Sequence, residues 1–249
     1  MNQLLTKEGC LDLIESSGDY FLHHKLLMLS KQYHDWYLLN KVQRDYDLMC
    51  RFQKVEVKAN GDRHYWVGDK HHRIGDDLPA IECFSGTKAW FQNGRRHRDG
   101  DKPAAERADG TKAWYYNGRS HRDGNKPAIE YANGDKVWYY NGELHRDGDK
   151  PAIERADGTK RWYYNGSRHR DGDKPAIECA DGTKEWYQTG RRHREGDKPA
   201  IEQADGTKEW YYNGRRHRDG DKPAIEDSDG TKEWYQEGVK QSSSKAEKT

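Results

Sequence analysis

Tryptophan recurs every 24 residues through most of this chain, and that period constrains the fold more than any other feature. Trp66, Trp90, Trp114, Trp138, Trp162, Trp186, Trp210 and Trp234 all keep the step. So do the seven prolines, from Pro79 to Pro223, and six histidines: His97, His121, His145, His169, His193 and His217. A fixed period of this length marks an architecture of stacked units, each burying its apolar face against its neighbours. The unit reads HRDGDKPAIExADGTKxWYYNGxx.

Each unit holds two strand candidates and two turn signals. Lys150 to Ala156 is short and alternating, and Asp157-Gly158 after it is a hairpin turn signal. Thr159 to Tyr164 is aromatic and strand-like, and Asn165-Gly166 is the next turn. A further reversal falls near Asp171-Gly172, and Pro175, which lacks a ladder donor, belongs at a strand start. No helix signal interrupts residues 73–240. The expected fold is mainly β: an elongated single-layer antiparallel meander of about eight 24-residue β-hairpin repeats. That makes about sixteen strands, which at roughly 4.8 Å each span on the order of 75 Å. Alternation puts Trp162 and Tyr164 on one face with Tyr163 opposite, and Ile153 on the face away from Ala152 and Glu154.

Composition decides how such a chain buries itself. With 32% hydrophobic and 35% charged residues it cannot fill one large core. Similar compositions are usually disordered, but aromatics at fixed intervals favour a thin core of Trp and Tyr, a little in each unit. The 44 basic and 43 acidic side chains nearly cancel, so nothing draws the chain generally to nucleic acid or anionic membrane. The tracts Arg191-Arg192-His193-Arg194 and Arg215-Arg216-His217-Arg218 read as a solvated mixed edge, with Glu195 and Asp219 following directly. Cys10, Cys50, Cys83 and Cys179 share no short spacing and suggest neither zinc nor a disulfide framework.

The ends differ from the middle. Residues 49–72 read as a degenerate first repeat, so the repeats run over 49–240, with a flexible polar tail at 241–249. Residues 1–48 read as a small α-helical N-terminal cap. Thr6 caps a helix carrying Leu11 and Ile14, and Asp19 caps another with Leu22, Leu26, Leu29, Tyr33 and Trp36 at helical spacing. Leu11, Ile14, Leu26, Leu29 and Trp36 are the candidate partner surface of that module.

The chemistry-bearing residues favour binding over catalysis. Histidines one repeat apart lie about 10 Å from each other, too far to share an ion whose ligands sit about 2 Å away. They read as a ladder that braces turns. Asp99-Gly100-Asp101 has the look of a calcium loop, but its twelfth position is Gly110 where an EF-hand needs Glu. No nucleophile recurs beside a base, and an active site is normally one constellation, not a motif repeated six times. The expectation is no enzyme, no catalytic residue, no metal and no cofactor.

Trp210, Asn213-Gly214, His217 and Gly220 fall where the MORN repeat carries its Trp, Asn-Gly turn, His and Gly. The unit therefore resembles MORN, over about three quarters of the chain. Arg218 stands where that family usually has Gly, and Pro223-Ala224 replaces an aromatic strand start. These features are similar to the variant HRxDGPA-type repeats in proteins of large DNA viruses. Leu11-Asp12-Leu13-Ile14, Lys25 to Lys31 and Trp36 resemble an F-box. Together the resemblances imply a non-enzymatic scaffold for protein–protein interaction, a structural component of a large assembly such as a viral particle. The alternative they imply is an F-box-type adaptor whose repeats bind a target for ubiquitin-ligase recruitment. The expected partners are other proteins, not a small-molecule substrate, nucleic acid or membrane. The start, MNQLLTKEGCLDL, carries charges inside its short apolar run and does not read as a signal peptide. The expected location is the host-cell cytoplasm or a virion.

Overall fold

A computed structural model of the chain describes residues 53–73 and 77–242. The helical module expected over 1–48, with Leu11, Ile14, Leu26, Leu29 and Trp36, lies outside the described residues, as does the tail from 243. Among the described residues every regular element is a strand, and no helix is long and apolar enough to cross a membrane.

The strands form antiparallel meanders in two compact units. One unit ends at residue 100 and includes 104–108; the other holds 101–103 and continues from 109. In the first, Gln53–Val57 and Arg63–Val67 make a hairpin across Asn60-Gly61. Ile81–Glu82, Lys88–Ala89 and Ala105–Glu106 extend it in chain order. The degenerate first repeat thus has the longest strands. In the second unit the meander runs from Lys112–Ala113 to Lys232–Glu233, each strand pairing with the one before and after it.

The expected long strand from Thr159 to Tyr164 is broken in two. Lys160–Arg161 belongs to the meander, while Tyr163–Tyr164 pairs with Ser167–Arg168 in a separate two-stranded ribbon. Trp162 between them is the hinge. Its N–H donates to Ala176 O of the next repeat at 2.8 Å, and its C=O accepts from its own His169 N–H at 3.3 Å. One backbone group serves the sheet and the other the ribbon. The same pair of bonds recurs at Trp90, Trp114, Trp138, Trp186 and Trp210. A structural repeat, counted from Lys150 to Asp173, therefore carries four short strands, not two longer ones. Ribbons are tied to their neighbours through turn glycines, as where Gly190 N–H donates to Arg168 O at 2.9 Å.

The two turns differ as their residues demand. At Asn165-Gly166 both residues have positive φ, 45° and 77°, the mirror-image turn that Asn-Gly favours. At Asp157-Gly158 only the glycine is left-handed, and Gly158 N–H closes the turn on Arg155 O. Thr189 occupies the asparagine position of its repeat at φ 46°. A β-branched residue is strained there. Thr189→Asn should therefore stabilise the chain by about 1 kcal/mol, read as a higher urea midpoint. An unchanged or lower midpoint would contradict this account of the turn.

The core is thin and built on two ladders. Trp90, Trp114, Trp138, Trp162, Trp186 and Trp210 are buried, while Trp66 and Trp234 at the ends are half-buried. The alanine after each proline, from Ala80 to Ala224, is 0% exposed. The expected faces need correcting here. Ala152 is inside while Ile153 is only half-buried, and Tyr164 is exposed instead of sharing Trp162's burial. The reason is the hinge, since a break in the strand at Trp ends the simple alternation. Trp138→Ala and Trp162→Ala should each cost roughly 3–5 kcal/mol. Trp234→Ala, with one neighbouring repeat missing, should cost clearly less in the same denaturation experiment. Equal losses would argue against units that depend on their neighbours.

Candidate interaction surface

The arginine after each histidine organises the space around the tryptophan. Arg170 lies flat on the Trp162 ring, 3.8 Å from its centroid. Its Nε donates to Asp149 of the preceding repeat at 2.6 Å, and its Nη1 donates to Glu178 at 2.8 Å and Pro175 O at 3.2 Å. Trp162 Nε1 donates to the Asp149 carbonyl at 3.3 Å. Lys174 completes the set, its Nζ 2.7 Å from Asp149. The same clamp is built by Arg122, Arg194 and Arg218, and by Arg98 in the first unit. These side chains are only 12–14% exposed. The reading of Arg194 and Arg218 as a solvated edge is thus corrected: both are held inside by a ring and two carboxylates.

One repeat lacks the carboxylate and another lacks the indole bond. Asn125 takes the aspartate position, so Arg146 Nε donates to a neutral amide oxygen at 2.9 Å. Trp186 Nε1 is buried without a partner. Asp173 does not share the positive φ that turns the Asp149 and Asp197 carbonyls towards their indoles.

The histidines from His121 to His217 each join their repeat to the next. His145 pairs through Nε2 with Asp147 at 3.0 Å, and its Nδ1 accepts from Asn165 N–H at 3.2 Å. His121, His169, His193 and His217 make the equivalent pair of contacts, and His97 binds Asp99. The acceptor Nδ1 places the imidazole proton on Nε2. The N–H held belongs to the left-handed turn residue, so the ladder braces turns of neighbouring repeats. Among the described residues no group of three or more His, Cys, Asp or Glu gathers to hold a metal ion.

With Trp, Arg and His engaged internally, the tyrosine two places after Trp is what remains outside. Tyr116, Tyr140 and Tyr164 are 55–57% exposed, one per repeat, and Tyr212 is nearly as open. Histidines separate them: Tyr140 lies 5.2 Å from His121 and 6.1 Å from His145, centroid to centroid. Gln188 breaks the row between Tyr164 and Tyr212. The result is an aromatic stripe with rings about 10 Å apart, two strands per step. Sequence reasoning placed these tyrosines in the core. The signal that marks them as external is the appearance of Gln92, Gln188 and Gln236 at the same position.

The chain matches no protein-family model and no curated protein.

The clamp aspartates carry a pH dependence. Arg122, Arg170, Arg194 and Arg218, donating to Asp101, Asp149, Asp173 and Asp197, each pull the carboxyl down to about 2, helped by the lysines. A depressed folded-state value means the contribution is complete above the unfolded value, near 3.9. It is lost as pH falls through about 2. Melting temperature should therefore fall between pH 4 and pH 2. The carboxylates are 42–44% exposed, so water screens each one. Asn125→Asp should raise the melting temperature at pH 7 and steepen that acid fall. A variant with an unchanged acid limb would contradict the clamp's electrostatic role.

Proposed function

We propose that this chain is a non-enzymatic repeat scaffold for protein–protein interaction, working as a structural component of a large assembly such as a viral particle. The exposed tyrosine stripe carries the reading. Tyrosine offers a large rigid contact surface at low entropic cost and is enriched at protein interfaces. Here it stands out because nearly every other aromatic, and the arginines of the clamps, serve the interior. Rows of one residue per repeat favour partners that engage several repeats together, each contact adding modestly. The likeness to MORN and HRxDGPA-type repeats, at Trp210, Asn213-Gly214, His217 and Gly220, supports the same reading. The F-box-like pattern over Leu11, Ile14, Leu26, Leu29 and Trp36 supports a second role, an adaptor that recruits a ubiquitin ligase through its first 48 residues.

Replacing Tyr116, Tyr140 and Tyr164 together by alanine should leave the melting temperature nearly unchanged, because the rings are exposed. In purified particles or assemblies, mass spectrometry should find the variant depleted at least tenfold. Normal incorporation of the folded variant would rule the stripe out as the docking surface. A Skp-type adaptor captured by the wild type, and lost on Leu26→Asp, would favour the adaptor role instead.

A further inference from the structure

We propose that Arg161 and Arg168 form a receptor for a carboxylate carried by a protein partner. The observation is a change in chemistry along one row of the sheet. The residue before Trp is Ala113, Val137, Arg161, Glu185, Glu209 and Glu233 in successive repeats. In the last three repeats this glutamate is gripped from two sides. Tyr187, Tyr211 and Tyr235 each donate a hydroxyl to it at 2.9 Å. Arg192 and Arg216 donate at 3.1 Å, and Lys240 at 2.7 Å. In the two earlier repeats the position is apolar and buried.

The Arg161 repeat keeps the donors and lacks the acceptor. Arg168 stands where Arg192 and Arg216 stand, and Tyr163 where Tyr187 and Tyr211 stand. Arg168 turns to neutral oxygens instead, Nε to Tyr163 Oη at 3.2 Å and Nη1 to Tyr187 Oη at 3.2 Å. Arg161 Nε is buried and has no hydrogen-bond partner. Asp157, the near acid, already accepts from Thr159 N–H at 2.7 Å. The Nε itself is too deep for a partner to reach, but the half-buried Arg161 makes no hydrogen bond or ion pair through its terminal nitrogens with any described residue, so an acceptor meeting those would offset an otherwise unpaired charge. The donors define its chemistry. Two guanidinium groups suit a planar oxyanion, and the same tyrosine and arginine positions hold a carboxylate in the two repeats that follow. Tyr163 Oη, accepting from Arg168, has its own proton to give.

Tyr163 and Tyr164 are successive strand residues, so the receptor lies on the face away from Tyr164. It is a second contact, independent of the tyrosine stripe. The experiment is titration of the full chain with a glutamate-rich peptide at low ionic strength, with acetate and inorganic phosphate as free-anion arms. The wild type should bind the peptide, and Arg161→Gln should bind it at least tenfold more weakly. Arg161→Glu should lose binding and melt higher than wild type without peptide, because its own carboxylate would accept from Arg168 and Tyr163 as Glu185 accepts from Arg192 and Tyr187. The proposal is overturned by equal peptide affinity in wild type and Arg161→Gln, or by a wild type that binds phosphate and not the peptide. A folded Arg161→Glu that melts lower than wild type would also overturn it. The triple tyrosine variant should bind the peptide as the wild type does, which keeps this test separate from that of the stripe.

Discussion

Most repeats are held by one arginine sandwiched between a tryptophan ring and two carboxylates from different places in the chain, Asn125 replacing one carboxylate in the Arg146 repeat. Arg170 touches Trp162 beside it in its own repeat, Asp149 behind it and Glu178 ahead of it. A guanidinium taken out of water would normally be a liability, since unpaired buried charge is expensive. Here the charge meets two carboxylates and a carbonyl, and the flat apolar face of the same group covers the indole. The arginine thus does what a large aliphatic residue does in an ordinary core. This is how a chain with 32% hydrophobic residues folds at all.

The clamp also explains why the unit is not self-sufficient. Its aspartate comes from 21 residues earlier, in the preceding repeat, and the histidine brace reaches 20 residues ahead to the following one. Thr159 Oγ1 accepts from Ala180 N–H one repeat on, adding a third link. Each repeat is therefore completed by both neighbours. Interior positions enjoy two such interfaces, and Trp234 at the end is correspondingly more open than Trp210.

Much of this was legible in the sequence, and the remainder was not for identifiable reasons. The period, the β class and both turns could be read because Trp, Asp-Gly and Asn-Gly act locally. The break at Trp162 could not, because it depends on where one residue's N–H and C=O find partners in two different layers. The arginines were misread for a similar reason. Beside His217, Arg218 is followed by Asp219 and looks solvated, but its partners are Asp197 and Glu226. The available clue was that the arginines from Arg98 to Arg218 and the glutamates from Glu82 to Glu226 keep the 24-residue step as Trp does, and the aspartates from Asp77 to Asp221 keep it but for Asn125. The stripe of Tyr116, Tyr140 and Tyr164 was hidden by the same break, which moves those rings from the expected core face to solvent.

A backbone this repetitive separates what must be constant from what is free to change. The clamp, the brace and the buried alanine recur because altering one disturbs three repeats. The residue before Trp answers mainly to its own ribbon, so it can pass from Ala113 to Val137 to Glu185 while the register is kept. Each of those choices is matched locally: Val137 lies in a repeat that has Leu144 before its histidine, and Glu185 has Arg192 and Tyr187. Arg161 alone in this row is set against another arginine. In a structure that otherwise pairs its charges so thoroughly, that mismatch is more economically read as a place for a partner's acid than as a lapse in the pattern.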